Sequence, residues 1–148
     1  MPDMLQNARR LGHHRWLCLQ LFELLGTQAA TASDPMVKPV LAAHAHHLAW
    51  HADLLAQRFP ELDELDAATL TVPADDVIER SIVALRRATT TNEILRSVYT
   101  VVLPGLLAEC EDHRASVDPA TDGPTVRVLN LIVRDLADDV RVGAALLH

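Results

Sequence analysis

Eight histidines occur in this 148-residue chain, and four of them, His44, His46, His47 and His51, fall within eight residues. Imidazoles three or four apart on a helix share a face. Neutral imidazoles ligate metals, and with carboxylates beside them they carry protons or close hydrogen-bond networks. Carboxylates recur at the same one-turn spacing: Glu109 precedes His113 by four residues, and Asp135 precedes Asp139 by four. Cys18 follows His14 by four. The ligand candidates are therefore His44, His47, His51, Glu109, His113, Asp135 and Asp139, with His14 and Cys18 next. A mixed imidazole, thiolate and carboxylate set suits zinc, copper or a single iron. Mutual hydrogen bonding without metal is the competing reading, because an unpaired buried imidazole costs about 1–3 kcal/mol.

Helices must position these groups. Glycine is scarce, at five residues, aromatics make up 3%, and the apolar residues recur at helical spacing. A first long helix is expected from about Asp3 to Gly26, with the glycine as its stop. A second starts at Pro35 behind the N-cap Asp34 and stops at Phe59, before Pro60. Residues 60–73 read as an acidic connection, and a short helix follows over about 74–88. Thr90-Thr91-Asn92-Glu93 has the form of a capping box and opens a third long helix, which runs to about Ser116. Pro104 should kink it. A turn at 118–124 leads to a fourth long helix from about Pro124 to Leu147. Short links make each outer pair a hairpin, and about 30 residues separate the pairs. The expectation is an all-α, antiparallel four-helix bundle of two hairpins joined by a long crossover with one extra short helix, forming a single domain over residues 1–148.

Residues seven apart on a helix nearly align, which sorts each helix into columns. In the second helix Val37/His44/His51, Leu41/Leu48/Leu55 and Val40/His47/Leu54 form the apolar stripe, and His46 is solvated. In the first, His14, Cys18 and Phe22 face inward, and Glu23 lies near the turn, within reach of Lys38. In the third, Leu95/Val102/Glu109 and Tyr99/Leu106/His113 face inward, with Leu103 and Cys110. In the fourth, Asp135 and Asp139 face inward, and Arg127, Arg134 and Arg141 form a solvated column.

Hydrophobic residues at 49% suffice for one core, and the net charge of −7 with no basic stripe argues against a nucleic-acid partner. No apolar run approaches the ~20 residues of a membrane span, and the start Met1-Pro2-Asp3-Met4 lacks the regions of a signal peptide. Two cysteines without an extracellular framework suit the cytoplasm. The sequence has no glycine-rich phosphate loop, nucleophile elbow or Cys-x-x-Cys.

Four helices in this order, with inward carboxylates and histidines, resemble the ferritin-like di-iron carboxylate superfamily. That family places one Glu on each of two helices and Glu-x-x-His on each of the other two. Glu109 matches a family carboxylate. His44-x-x-His47 and Asp135-x-x-Asp138 stand where the family has Glu-x-x-His, and His14 or Cys18 stands where it has Glu. The resemblance implies a metal-binding bundle, holding Fe, Zn or Cu, with redox or oxygen chemistry; whether it is an enzyme stays open. The alternative is a non-catalytic module that has lost its metal and acts as a homo-oligomer or with a protein partner, in keeping with the acidic segment 61–66 and the arginine column.

Overall fold

The computed structural model describes residues 3–147. Met1, Pro2 and His148 lie outside them, and the reading of the chain's start falls partly on those residues. The elements are α1 (Met4–Thr31), α2 (Lys38–Ala56), a 3₁₀ turn (Asp63–Leu65), α3 (Ala67–Leu70), α4 (Asp76–Arg87), α5 (Thr91–Ser97), a π-helical segment (Val98–Val102), α6 (Leu103–Ser116) and α7 (Gly123–Ala144).

Local chemistry explains most boundaries. Asp3 and Gln6 form a capping box at the start of α1. Asp66, Asp75, Thr90 and Asp122 each accept a backbone N–H at an N-terminus, of α3, α4, α5 and α7 respectively. Several expected boundaries move: α2 stops at Ala56 and α7 at Ala144, each three residues early, and two others move for visible reasons. Helix α1 runs through Gly26 to Thr31. No glycine among the described residues has a positive φ, so Gly26 remains helical. Its propensity cost of ~1 kcal/mol is offset by packing of Leu24, Leu25 and Gln28 beyond and before it. Helix α2 begins at Lys38 rather than at Pro35, because Asp34 makes a turn with Met36, Val37 and Lys38, and Pro39 takes the first-turn position.

Four long elements close a ring: α1 packs on α2, α2 on α7, α7 on α6, and α6 on α1. Cross-contacts give their direction. Arg58 meets Asp122 and Thr125, His51 meets Asp135, and His47 meets Asp139, so α2 and α7 run antiparallel. Likewise Asn7 and His14 on α1 reach His113 on α6. Helices α2 and α6 are thus parallel, which requires the crossover of α3, α4 and α5 between them. The fold is all-α, with hairpins α1–α2 and α6–α7 joined by a long crossover. No described helix is long and apolar enough to cross a membrane.

The core is aliphatic, with Leu21, Leu25, Leu41, Leu48, Leu55, Ile132 and Leu136 fully buried. Two glycines admit close approaches. A Cβ on Gly12 would collide with the backbone of Leu70 in the crossover, and one on Gly143 would collide with the Tyr99 ring. The crossover is also pinned by Arg86 to Glu23 and Gln20, and by Arg15 to Thr71. Glu23 therefore pairs with Arg86 instead of Lys38, whose ammonium reaches the Ala30 carbonyl. Phe22, expected inward, is exposed.

Candidate functional site

Two polar clusters lie inside the bundle. The first spans α1 and α6. His14 Nε2 is 3.0 Å from His113 Nδ1, and His113 Nε2 is 2.7 Å from Asn7 Oδ1. An amide oxygen only accepts, so His113 donates from Nε2 and accepts at Nδ1, and His14 donates from its own Nε2. Both rings are neutral. Burial holds the His14 pKa down at about 3, helped by His113 and Arg10, and burial with Arg10 holds His113 at about 4.

The second cluster spans α2, the π segment and α7. The Tyr99 hydroxyl lies 2.6 Å from His44 Nδ1. His44 Nε2 lies 3.4 Å from Asp139 Oδ1, and His47 Nδ1 lies 2.8 Å from Asp139 Oδ2. One turn away His51 Nε2 bonds Asp135 Oδ2 at 2.9 Å, while His51 Nδ1 is buried without a partner. Burial raises the Tyr99 pKa, and the Asp139 charge adds to this, so the phenol keeps its proton and donates to His44. Burial lowers His44 and His51 as well, against the raising effect of Asp139 and Asp135. Neutral His44 then presents Nε2–H to Asp139, and neutral His51 presents Nε2–H to Asp135. A tyrosine, an imidazole and a carboxylate in line have the connectivity of a proton relay. Here Tyr99 is 1% exposed and its pKa is raised, which makes its hydroxyl a structural donor rather than a nucleophile.

The expected metal centre is corrected by this geometry. Among the described residues, no group of three or more His, Cys, Asp or Glu side chains is placed to hold a metal ion. His44 and His47 meet Asp139, His51 meets Asp135, and His14 and His113 meet each other, so the candidates do not converge on one point. Cys18 and Cys110 are free thiols in the apolar core, where burial pushes Cys18 well up and Cys110 to about 12; a ligand or nucleophile needs the thiolate. Glu109, the carboxylate matched to the ferritin-like pattern, is exposed and faces Arg10 at 3.7 Å. The binding of Fe, Zn or Cu and the redox chemistry implied by the resemblance fall with the site.

Of the columns counted through the π segment, Tyr99/Leu106/His113 stays buried, whereas Leu95/Val102/Glu109 ends with Glu109 turned to solvent. The segment is a π turn, in which a backbone bond spans five residues instead of four. Leu95 and Val102 are buried before and within the segment, and after it the inner face is Leu103, Leu106, Cys110 and His113. Pro104 supplies the local cause, since it has no N–H to bond one turn back; the Leu103 N–H bonds the Val98 carbonyl.

Asn7, Tyr99 and Arg10 were not among the sequence candidates. Tyr99 shares a column with His113, and its hydroxyl, buried on an apolar face, was the available signal. Arg10 bonds Asp112 at 2.9 Å and lies beside Glu109 and Ser116, tying α1 to α6.

One surface feature stands apart. Along the outside of α2 and its entry turn, Met36, Pro39, Ala43, His46 and Trp50 are exposed at three- and four-residue spacing. Met36 is 75% and Trp50 58% exposed, and the His46 and Trp50 rings meet at a tilt of 53° with centroids 4.8 Å apart. Lys38 and Asp53 are the only charged residues of this 19-residue helix, apart from any protonated histidine. No protein-family model, no curated protein and no solved structure gives a significant match to this chain.

Proposed function

We propose that this chain is a non-catalytic helical-bundle module of ferritin-like layout, forming one domain, and that it works by self-association through the outer face of α2. The observation that carries the reading is the exposed stripe Met36–Pro39–Ala43–His46–Trp50 on a helix with two charged residues. A solvated helix face is ordinarily charged, as α4 is with Asp76, Glu79, Arg80, Arg86 and Arg87. A large aromatic and a methionine flanked by small residues have the composition of an interface centre. A two-fold pairing of α2 with its copy sets the stripe against itself, as an isologous interface requires.

The interior supports the non-catalytic part. Hydrogen bonds among Tyr99, His44, Asp139 and His47 occupy the mid-bundle position where the ferritin-like pattern places metal ligands, and Cys18 and Cys110 are inert. The two free thiols also favour a cytoplasmic setting. Sedimentation velocity over a concentration series tests the proposal. A dimer that becomes monomeric in Trp50→Glu is expected; a wild-type chain that stays monomeric up to ~100 μM, where a standard-size interface is well populated, overturns it.

A further inference from the structure

A half-enclosed cavity of about 440 Å³ lies between α1, α4 and the π–α6 helix, away from the outer face of α2. Its apolar lining includes Trp16, Leu17, Ile78, Val101, Val102 and Leu106, and His13, Ser81 and Ser97 also border it. Such a volume suits a small organic molecule. His14 also lines it and is 4% exposed.

We infer that this cavity is a binding site for an uncharged, mainly apolar molecule carrying one hydroxyl donor, such as a phenol or a fused-ring alcohol. The polarity of the His14–His113–Asn7 chain sets the choice of a donor. Asn7 Oδ1 accepts from His113, His113 accepts from His14, and the remaining nitrogen of His14, Nδ1, is left with a lone pair. A ligand hydroxyl satisfies that lone pair. A carboxylate is repelled by it and finds no free cation, because Arg10 at the rim is already paired with Asp112 and Glu109. Asp75 adds a further negative charge at the rim, which disfavours an anion.

The test measures binding of three probes of one shape to the full chain: 2-naphthol, naphthalene and 2-naphthoate. Trp16 fluorescence, in a Trp50→Phe background, and calorimetry are the readouts. The expected order is naphthol first, naphthalene roughly five- to tenfold weaker, as one hydrogen bond is worth, and naphthoate weakest. Gly105 lines the cavity, and a Cβ there meets nothing within 4 Å. Gly105→Leu therefore keeps or raises helix stability while filling the space, and it should abolish binding of all three probes. His14→Phe should bring naphthol and naphthalene to parity. The inference is overturned if the chain binds none of the probes, if Gly105→Leu binds naphthol unchanged, or if the naphthol preference survives in folded His14→Phe. The outcome is independent of the oligomeric state on which the proposed function rests.

Discussion

The two buried clusters are built from the same side chain and solve its burial differently. Between α1 and α6, His14 and His113 lean on each other and on Asn7, with no carboxylate in the chain of bonds. Between α2 and α7, His44, His47 and His51 each face an aspartate. The first arrangement keeps imidazole neutral through burial and the proximity of Arg10. The second balances burial against a nearby negative charge, so protonation is opposed less strongly. Position in the ring of helices thus decides whether histidine is an acid-sensitive strut or a partner that tolerates charge.

Acid should separate the two most. The pKa values of about 3 for His14 and about 4 for His113 lie below the usual 6.5. The unfolded chain then binds more protons than the folded one in that window. Stability is complete above pH ~6.5 and falls as the pH drops toward 4, by up to about 1.4 kcal/mol per pH unit for each site. Urea melts from pH 7 to 4.5 should show this loss. The slope should shrink by more than half in a His14→Gln, His113→Gln double variant and change less in His44→Gln, His51→Gln. Equal slopes in the two variants would erase the distinction.

A single replacement should rank next. His113→Leu leaves Asn7 and His14 without their partner in a tightly packed place, and a loss of about 2–4 kcal/mol at pH 7 is expected in denaturant midpoints. Tyr99→Phe removes only a hydroxyl but strands His44 Nδ1, and about 1–2 kcal/mol should be lost. His51→Leu should cost least, under about 1 kcal/mol, because it also removes the unpartnered Nδ1 and leaves Asp135 with access to water. A larger loss for His51→Leu than for His113→Leu would mean that the bonding pattern is not what holds these rings.

The inner face of α2 was legible in the sequence, and so was that of α6 apart from Glu109. On α2 the helix is regular, so the column Leu41/Leu48/Leu55 is buried, His44 and His51 beside it are buried, and Val40, His47 and Leu54 grade outward. The hairpin–crossover–hairpin order followed from link lengths alone. On α6 the columns Tyr99/Leu106/His113 and Leu103/Cys110 are buried, and Glu109 turns to solvent beside Arg10. Pairing across helices was hidden. Whether the inward His14 ring reaches α2 or α6 depends on helix rotation, which a single sequence does not encode; it reaches His113 on α6. The metal expectation failed at this step. Residue types suited a centre, but among the described residues no three of these side chains are placed to hold one ion.

If the buried imidazoles serve structure and the outer face of α2 serves function, damage to the two should separate cleanly. The decisive measurement is sedimentation velocity beside thermal melting for wild type, Trp50→Glu and His44→Ala. At one low protein concentration, where little dimer forms, Trp50→Glu should melt with the wild type. At higher concentration it should remain monomeric while the wild type dimerises. His44→Ala should melt several degrees lower, as a loss of about 1–2 kcal/mol implies, and still dimerise below its melting point. A Trp50→Glu protein that dimerises like the wild type, or a folded His44→Ala protein that loses the dimer, would contradict this division of labour.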